Sequence, residues 1–166
     1  LSNTSTVAYN GDQDGQKQAA DAMEAAMAKL GITLTRVTGP QTGHRYHPQS
    51  KIEINEKLDA IAAVGRDPYP HQIEFTTFTL AYNRMKWLIV DSLEQHWERA
   101  QISASIEGNQ AVKITTINAA ALSLDFGPGG APLSLSNKAT IHIDNQTLTA
   151  PQPQSDRSWR IHLRKT

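Results

Sequence analysis

The sequence of 166 residues lacks cysteine, an excess of charge of either sign and a long apolar run. Without cysteine the chain forms no disulfide, no thiolate metal site and no cysteine nucleophile, but this absence does not settle the compartment. Sixteen basic residues balance sixteen acidic ones, so no electrostatic signal for nucleic acid or anionic lipid is present. No apolar run approaches about eighteen residues, and we expect no membrane span.

The sequence also lacks a nucleophile motif. No Gly-x-Ser-x-Gly occurs, so the strained strand-to-helix turn that exposes the serine of an α/β-hydrolase is missing. Ser92 has no neighbouring glycine and is a poor substitute. The chain starts at Leu1 without a signal-peptide pattern, which is typical of a processed or excised segment.

The first part of the chain alternates between strand and helix patterns. Short β-rich stretches at 6–10 and 32–37 predict strands, and apolar residues at helical spacing predict helices over 16–30 and 48–65. A strand–helix–strand passage of this length predicts a parallel pair joined by a crossover. Because two parallel strands do not make a stable sheet, we expect further sheet, N-terminal to this chain or from a partner chain.

The second part of the chain changes to a period of two. Residues 66–70 contain two prolines and predict a linker between a domain at 1–66 and a domain at 71–166. Seven short strands are predicted in the second domain: 72–81, 85–91, 101–106, 111–115, 120–126, 139–143 and 159–163. This pattern, with tight-turn signals between strands, predicts an all-β antiparallel sandwich with a short helical turn near 93–99.

Two polar loops follow the two predicted parallel strands. The first contains Asp12 and Asp14, and the second contains His44. Loops at the carboxyl ends of parallel strands meet at one edge of a sheet, so Asp14 and His44 are candidates for a catalytic acid and base. Asp12, closer to the strand, suits a bracing or helix-capping role.

Two other interpretations of these residues stay open. His44 and His47 have a spacing that fits a metal site, although Pro48 follows directly and no cysteine is available, so we expect no metal and no cofactor. Trp87, Trp97 and Trp159 are candidates for an exposed surface that binds carbohydrate or protein. Trp87 and Trp159 lie in alternating strands, where filling the core is the better interpretation.

The stretch from Val7 to Asp14 and the Gly39-Pro40-Gln41-Thr42-Gly43-His44 loop together resemble the last part of a prolyl-oligopeptidase-like α/β-hydrolase domain. The resemblance covers roughly residues 5–65. It implies that Asp14 is the acid and His44 the base of a serine hydrolase triad, a peptidase or an esterase. The second domain looks like an accessory β domain of such proteins.

The resulting expectation is an α/β fragment, the βαβα end of a hydrolase sheet, followed by an all-β antiparallel sandwich. Without its serine this chain is expected to be inactive alone. Its partners would be a peptide or ester substrate, bound through the complete hydrolase domain, and the missing N-terminal portion. The alternative is a non-catalytic β-sandwich that binds carbohydrate or protein.

Overall fold

A computed structural model describes residues 3–165 of the chain. The chain divides between Arg66 and Asp67 into two compact units, called here the first and the second unit. The predicted mixture of α and β structure with antiparallel sheets is confirmed, and strand content exceeds helix content. Within the described residues, neither α-helix has an apolar stretch of the length that crossing a membrane requires.

The first unit consists of two strands and two helices in alternation. In chain order these are β1 (Val7–Gly11), α1 (Gln18–Ala28), β2 (Thr35–Gly39) and α2 (Pro48–Val64). The two strands pair in parallel, and the terminal glycines of both lie opposite each other. Each helix is followed by a glycine with a positive φ, Gly31 at 70° and Gly65 at 72°. A glycine in this conformation commonly ends a helix.

The first unit buries few apolar side chains. Met27, Leu34, Val37 and Ile54 are its buried hydrophobic residues. Further apolar residues of the two helices are exposed to solvent: Met23, Ile52, Leu58, Ile61 and Val64. The predicted helical stripes are therefore only partly covered.

The second unit contains nine strands in two sheets. Their bounds are β3 (Gln72–Thr77), β4 (Arg84–Met85), β5 (Leu88–Leu93), β6 (Ala100–Glu107), β7 (Ala111–Ile117), β8 (Ala119–Phe126), β9 (Ala139–Ile143), β10 (Gln146–Ala150) and β11 (Trp159–Arg164), with a 3₁₀ turn at Leu80–Tyr82. One sheet has the order β10-β9-β7-β6-β3 and the other β11-β8-β5-β4. The seven-strand prediction missed the short β4 and β10.

One pair of neighbouring strands departs from the predicted antiparallel pattern. Strands β7 and β9 pair in parallel, with Val112 opposite Ile141, whereas the other pairs of the second unit are antiparallel. The expectation of a wholly antiparallel sandwich is therefore wrong at this pair. The cause is that the chain crosses to the other sheet between β7 and β9, where β8 pairs with β5 and β11. Strands β7 and β9 are therefore not joined by a hairpin, which would have made them antiparallel.

Side chains from both sheets form one apolar core. Trp87 and Trp159 are buried, which confirms their predicted core positions. The rings of Trp87 and Phe126 stack with centroids 4.9 Å apart, and the Tyr69 ring also stacks with Phe126, with centroids 5.7 Å apart. Tyr69 thus lies within the second unit, although the sequence pattern places it in a linker.

The loop between β5 and β6 is not the helical turn that the sequence predicts. Trp97 has φ 69°, outside the right-handed helical region, and the residue is 76% exposed. The Asn118 side chain holds this loop, since it accepts from the Gln95 N–H and donates to the carbonyls of Gln95 and Glu98. These side-chain bonds replace the backbone bonds that a helix would make.

Candidate active site

The candidate site lies where β1 and β2 end side by side. Both strands end in glycine because neighbouring chain passes close to their last residues. A Cβ at Gly11 would overlap the Thr42 carbonyl oxygen, and one at Gly39 would overlap the Tyr9 hydroxyl. The two glycines therefore let the acid loop (residues 12–17) and the histidine loop (residues 40–47) meet.

The structure brings Asp14 and His44 together from these two loops. The distance from His44 Nδ1 to Asp14 Oδ2 is 3.0 Å. Since an ionised carboxylate only accepts hydrogen bonds, the pairing requires the proton of a neutral imidazole on Nδ1. Nε2 is then left as an acceptor. The histidine side chain is 80% exposed and the aspartate side chain 11% exposed.

Hydrogen bonds to Asp14 favour its charged form. The Gln16 backbone N–H donates to Asp14 Oδ1 at 2.9 Å, while His44 contacts the other carboxylate oxygen. The Gln16 N–H, followed by the His44 hydrogen bond, lowers the pKa of Asp14 from its ordinary value of 3.8. The carboxylate is therefore ionised at neutral pH and oriented toward the imidazole.

Asp12 braces the two loops, as its position next to the strand indicates. Asp12 Oδ1 accepts from the Thr42 backbone N–H at 3.1 Å, and the Asp12 backbone N–H donates to the Gly39 carbonyl at 2.9 Å. The Gln41 and Thr42 backbone N–H groups lower the pKa of Asp12. Asp12 is thus a charged anchor for the start of the histidine loop.

Tyr9 belongs to the site, although the sequence pattern predicts for it only a position in a strand. Its hydroxyl donates to the Arg45 carbonyl at 2.9 Å and accepts from the His47 backbone N–H at 2.9 Å. Its ring packs against Tyr46 with centroids 4.7 Å apart. A hydroxyl-to-backbone contact across 36 and 38 residues leaves no local signal in the sequence.

An open cavity of about 290 Å³ adjoins the acid–base pair. Its lining consists of Tyr9, Asn10, Asp14, His44, Arg45 and Tyr46. Apolar ring surface, a cation and the histidine are thus grouped around one space. This composition suits a small organic group held beside a base.

A serine, a histidine and an aspartate also meet in the second unit, but without triad geometry. Ser123 Oγ contacts both Asp91 Oδ2 and His162 Nδ1, the latter at 2.6 Å. His162 Nδ1 also lies 3.7 Å from Asp91 Oδ2, so one ring nitrogen faces both groups, whereas the histidine of a triad faces the serine with one nitrogen and the aspartate with the other. Ser123 is also only 2% exposed. The cluster therefore links β5, β8 and β11 structurally and does not supply the missing nucleophile.

The metal interpretation of His44 and His47 finds no third ligand. Among residues 3–165 no three His, Cys, Asp or Glu side chains converge in a way that could hold an ion. His47 Nδ1 is buried without a hydrogen-bond partner, while His44 points its Nδ1 to Asp14. The two rings are thus in different environments.

Comparisons of the chain with protein-family models, with curated proteins and with solved structures give no significant match. A function for the chain therefore has to be argued from its residues and their geometry.

Proposed function

We propose that this chain is the C-terminal portion of a serine hydrolase, a peptidase or an esterase. In this proposal His44 is the general base, and Asp14 orients and stabilises it. The observation that carries the proposal is the 3.0 Å contact from His44 Nδ1 to Asp14 Oδ2, which leaves Nε2 to accept a proton from a serine. The nucleophile itself would come from sequence outside this chain.

The exposure of the pair supports this function. The His44 side chain is 80% exposed while Asp14 contacts its Nδ1, so Nε2 stays accessible to a reacting group. The cavity beside it offers space for the reacting group of a substrate. In the sequence the acid precedes the base, which is the order of the α/β-hydrolases.

The incomplete packing of the first unit supports the same proposal. Parallel sheets are normally covered on both faces and contain several strands. The first unit has one parallel pair, with apolar side chains of both helices exposed. Further strands of a hydrolase sheet would supply neighbours for the free edges and cover for these side chains.

The test is hydrolysis by a longer chain that includes an upstream serine on a glycine elbow. Substrates are a chromogenic ester and a chromogenic peptide, and the variants are His44→Ala and His96→Ala. His44→Ala should lower kcat about 10³- to 10⁴-fold through loss of the base. His96→Ala removes an exposed histidine of the second unit and should leave kcat unchanged. Equal rates for His44→Ala and wild type would contradict the proposal.

A second candidate function is favoured by one specific observation, the exposure of Trp97. Large aromatic residues of soluble proteins are mostly covered, yet Trp97 is 76% exposed, and Phe78 and Tyr82 are also exposed. The backbone N–H of Trp97 donates to the Phe78 carbonyl at 3.0 Å, so these two residues are neighbours. Such rings can stack on the flat face of a sugar.

Titration of this chain with soluble polysaccharides, followed by tryptophan fluorescence, tests carbohydrate binding. Trp97→Ala should abolish a saturable change, and Leu135→Ala, which removes an exposed apolar side chain elsewhere, should keep it. A change that persists in Trp97→Ala, or its absence in wild type, would count against this function.

A further inference from the structure

The histidine loop needs an explanation for its fixed position. It follows Gly39, the last residue of β2, and contains Gly43 directly before His44, so its backbone is intrinsically permissive at these two glycines. The His44 side chain itself is largely exposed and has one protein partner among the described residues, Asp14. Packing of the imidazole therefore does not hold it in place.

The histidine loop has two anchors, one before His44 and one after it. Before it, the Asp12 carboxylate accepts from the Thr42 N–H. After it, the Tyr9 hydroxyl joins the Arg45 carbonyl to the His47 N–H. The second anchor originates in β1, the strand that leads directly into the acid loop. It therefore ties the histidine loop to the same strand that positions Asp14.

The Tyr9 hydroxyl is used fully in this anchor. A phenol has one donor hydrogen and can accept through its oxygen, and here it does both, each at 2.9 Å. The His47 N–H precedes α2 and has no place in the helical ladder, so the hydroxyl satisfies a group that the helix leaves open. Gly39 keeps the necessary space, because a Cβ there would overlap the hydroxyl.

We propose that Tyr9 is a positioning residue for the general base, holding residues 45–47 so that His44 Nδ1 stays in register with Asp14. The inference rests on the proposed hydrolase function for its catalytic meaning. Its structural content concerns this chain alone. Tyr9 touches no reacting atom in this proposal and acts through the backbone on both sides of Tyr46.

Tyr46 provides a matched control within the same pair of rings. Both tyrosines lose one hydroxyl on substitution by phenylalanine and keep their ring contact. The Tyr9 hydroxyl has two backbone partners, whereas no hydrogen bond of the Tyr46 hydroxyl occurs among the described residues. A difference between Tyr9→Phe and Tyr46→Phe therefore isolates the anchor from the ring packing.

The first experiment uses this chain and nuclear magnetic resonance. Long-range ¹H–¹⁵N spectra report the tautomer of His44, which is assigned by the loss of its signals in His44→Gln. In wild type and Tyr46→Phe the neutral form of the imidazole should carry its proton on Nδ1. In Tyr9→Phe the ratio of Nδ1-protonated to Nε2-protonated neutral imidazole should fall about threefold to tenfold, the range for losing a neutral hydrogen bond. Identical tautomer populations in Tyr9→Phe and wild type would overturn the proposal.

A variant-free measurement guards against a Tyr9→Phe chain that does not fold. Amide hydrogen exchange of His47 in the wild-type chain should be slowed, since its N–H donates to the Tyr9 hydroxyl. Exchange of this amide at the rate of an unstructured peptide would overturn the anchor.

The catalytic arm uses the longer chain with its serine. Tyr9→Phe should lower kcat about tenfold to a hundredfold with KM nearly unchanged, because a small misplacement of the base affects the transition state. His96→Ala, which changes an exposed residue of the second unit, should leave kcat unchanged. If the longer chain is inactive while the tautomer result holds, the proposed hydrolase function fails and the anchor stands. An active wild type with an unaltered kcat in Tyr9→Phe would remove the positioning role.

Discussion

The two units of this chain differ in how much of their apolar surface they bury. The second unit has nine strands in two sheets, with a core that includes Trp87, Phe126 and Trp159. The first unit has two strands and buries Met27, Leu34, Val37 and Ile54. Yet the candidate acid and base lie in the first unit. The candidate site thus lies in the unit that has less core of its own.

The largest expected effect concerns the core of the second unit. Trp87→Ala should lower the free energy of unfolding by about 3–5 kcal/mol, because it leaves a cavity in a fully buried site. Trp97→Ala removes the same kind of side chain from an exposed loop and should change the free energy of unfolding by less than about 0.5 kcal/mol. Chemical denaturation followed by circular dichroism measures both. Equal losses would break the contrast between covered and exposed aromatic residues in this unit.

A smaller effect is expected from the side chain that holds the Trp97 loop. Asn118 has φ 56°, a conformation that glycine adopts without strain, so Asn118→Gly removes the hydrogen bonds without adding strain. The variant should lose about 1–2 kcal/mol of unfolding free energy. Asn118→Asp keeps the acceptor for Gln95 but places a carboxylate oxygen against the carbonyls of Gln95 and Glu98, so it should not recover this loss. Denaturant midpoints compare them, and an unchanged midpoint in Asn118→Gly would show that the loop needs no such support.

The smallest effect concerns the pH dependence of the first unit. The folded-state pKa of Asp14 lies below its ordinary value of 3.8. Its ionised form therefore stabilises the folded loops above that pH, and this contribution is lost as the pH falls through the folded-state pKa. A ¹³C titration of the carboxyl group measures it. His44→Ala should raise the pKa only in part, since the Gln16 N–H remains the larger cause. A wild-type pKa at or above 3.8 would contradict the geometry.

Much of the second unit could be predicted because each signal is local. Alternation places the main strands, and Asp144-Asn145, a residue pair typical of tight turns, joins β9 to β10 with Asp144 at φ 50°. The parallel β7–β9 pair could not be predicted, since it depends on which sheet β8 joins. The loop at 94–99 was mispredicted because its shape depends on Asn118, which lies far along the chain.

The candidate site likewise has features that the sequence predicts and features that it does not. The pairing of Asp14 with His44 followed from the order of strands and loops, because parallel strands bring their carboxyl ends together. The bracing position of Asp12 followed from its closeness to the strand. The role of Tyr9 and the Ser123 cluster could not be inferred, because each depends on side-chain contacts between residues more than thirty positions apart. Contacts of this kind require the folded structure.

The central claim is that His44 activates a serine that lies outside this chain. The most direct measurement is the rate at which a fluorophosphonate labels the serine of the longer chain, since this reagent reacts with activated serines. Wild type and His96→Ala should label rapidly, whereas His44→Ala should label about 10³-fold more slowly. Labelling of His44→Ala at the wild-type rate would contradict the account.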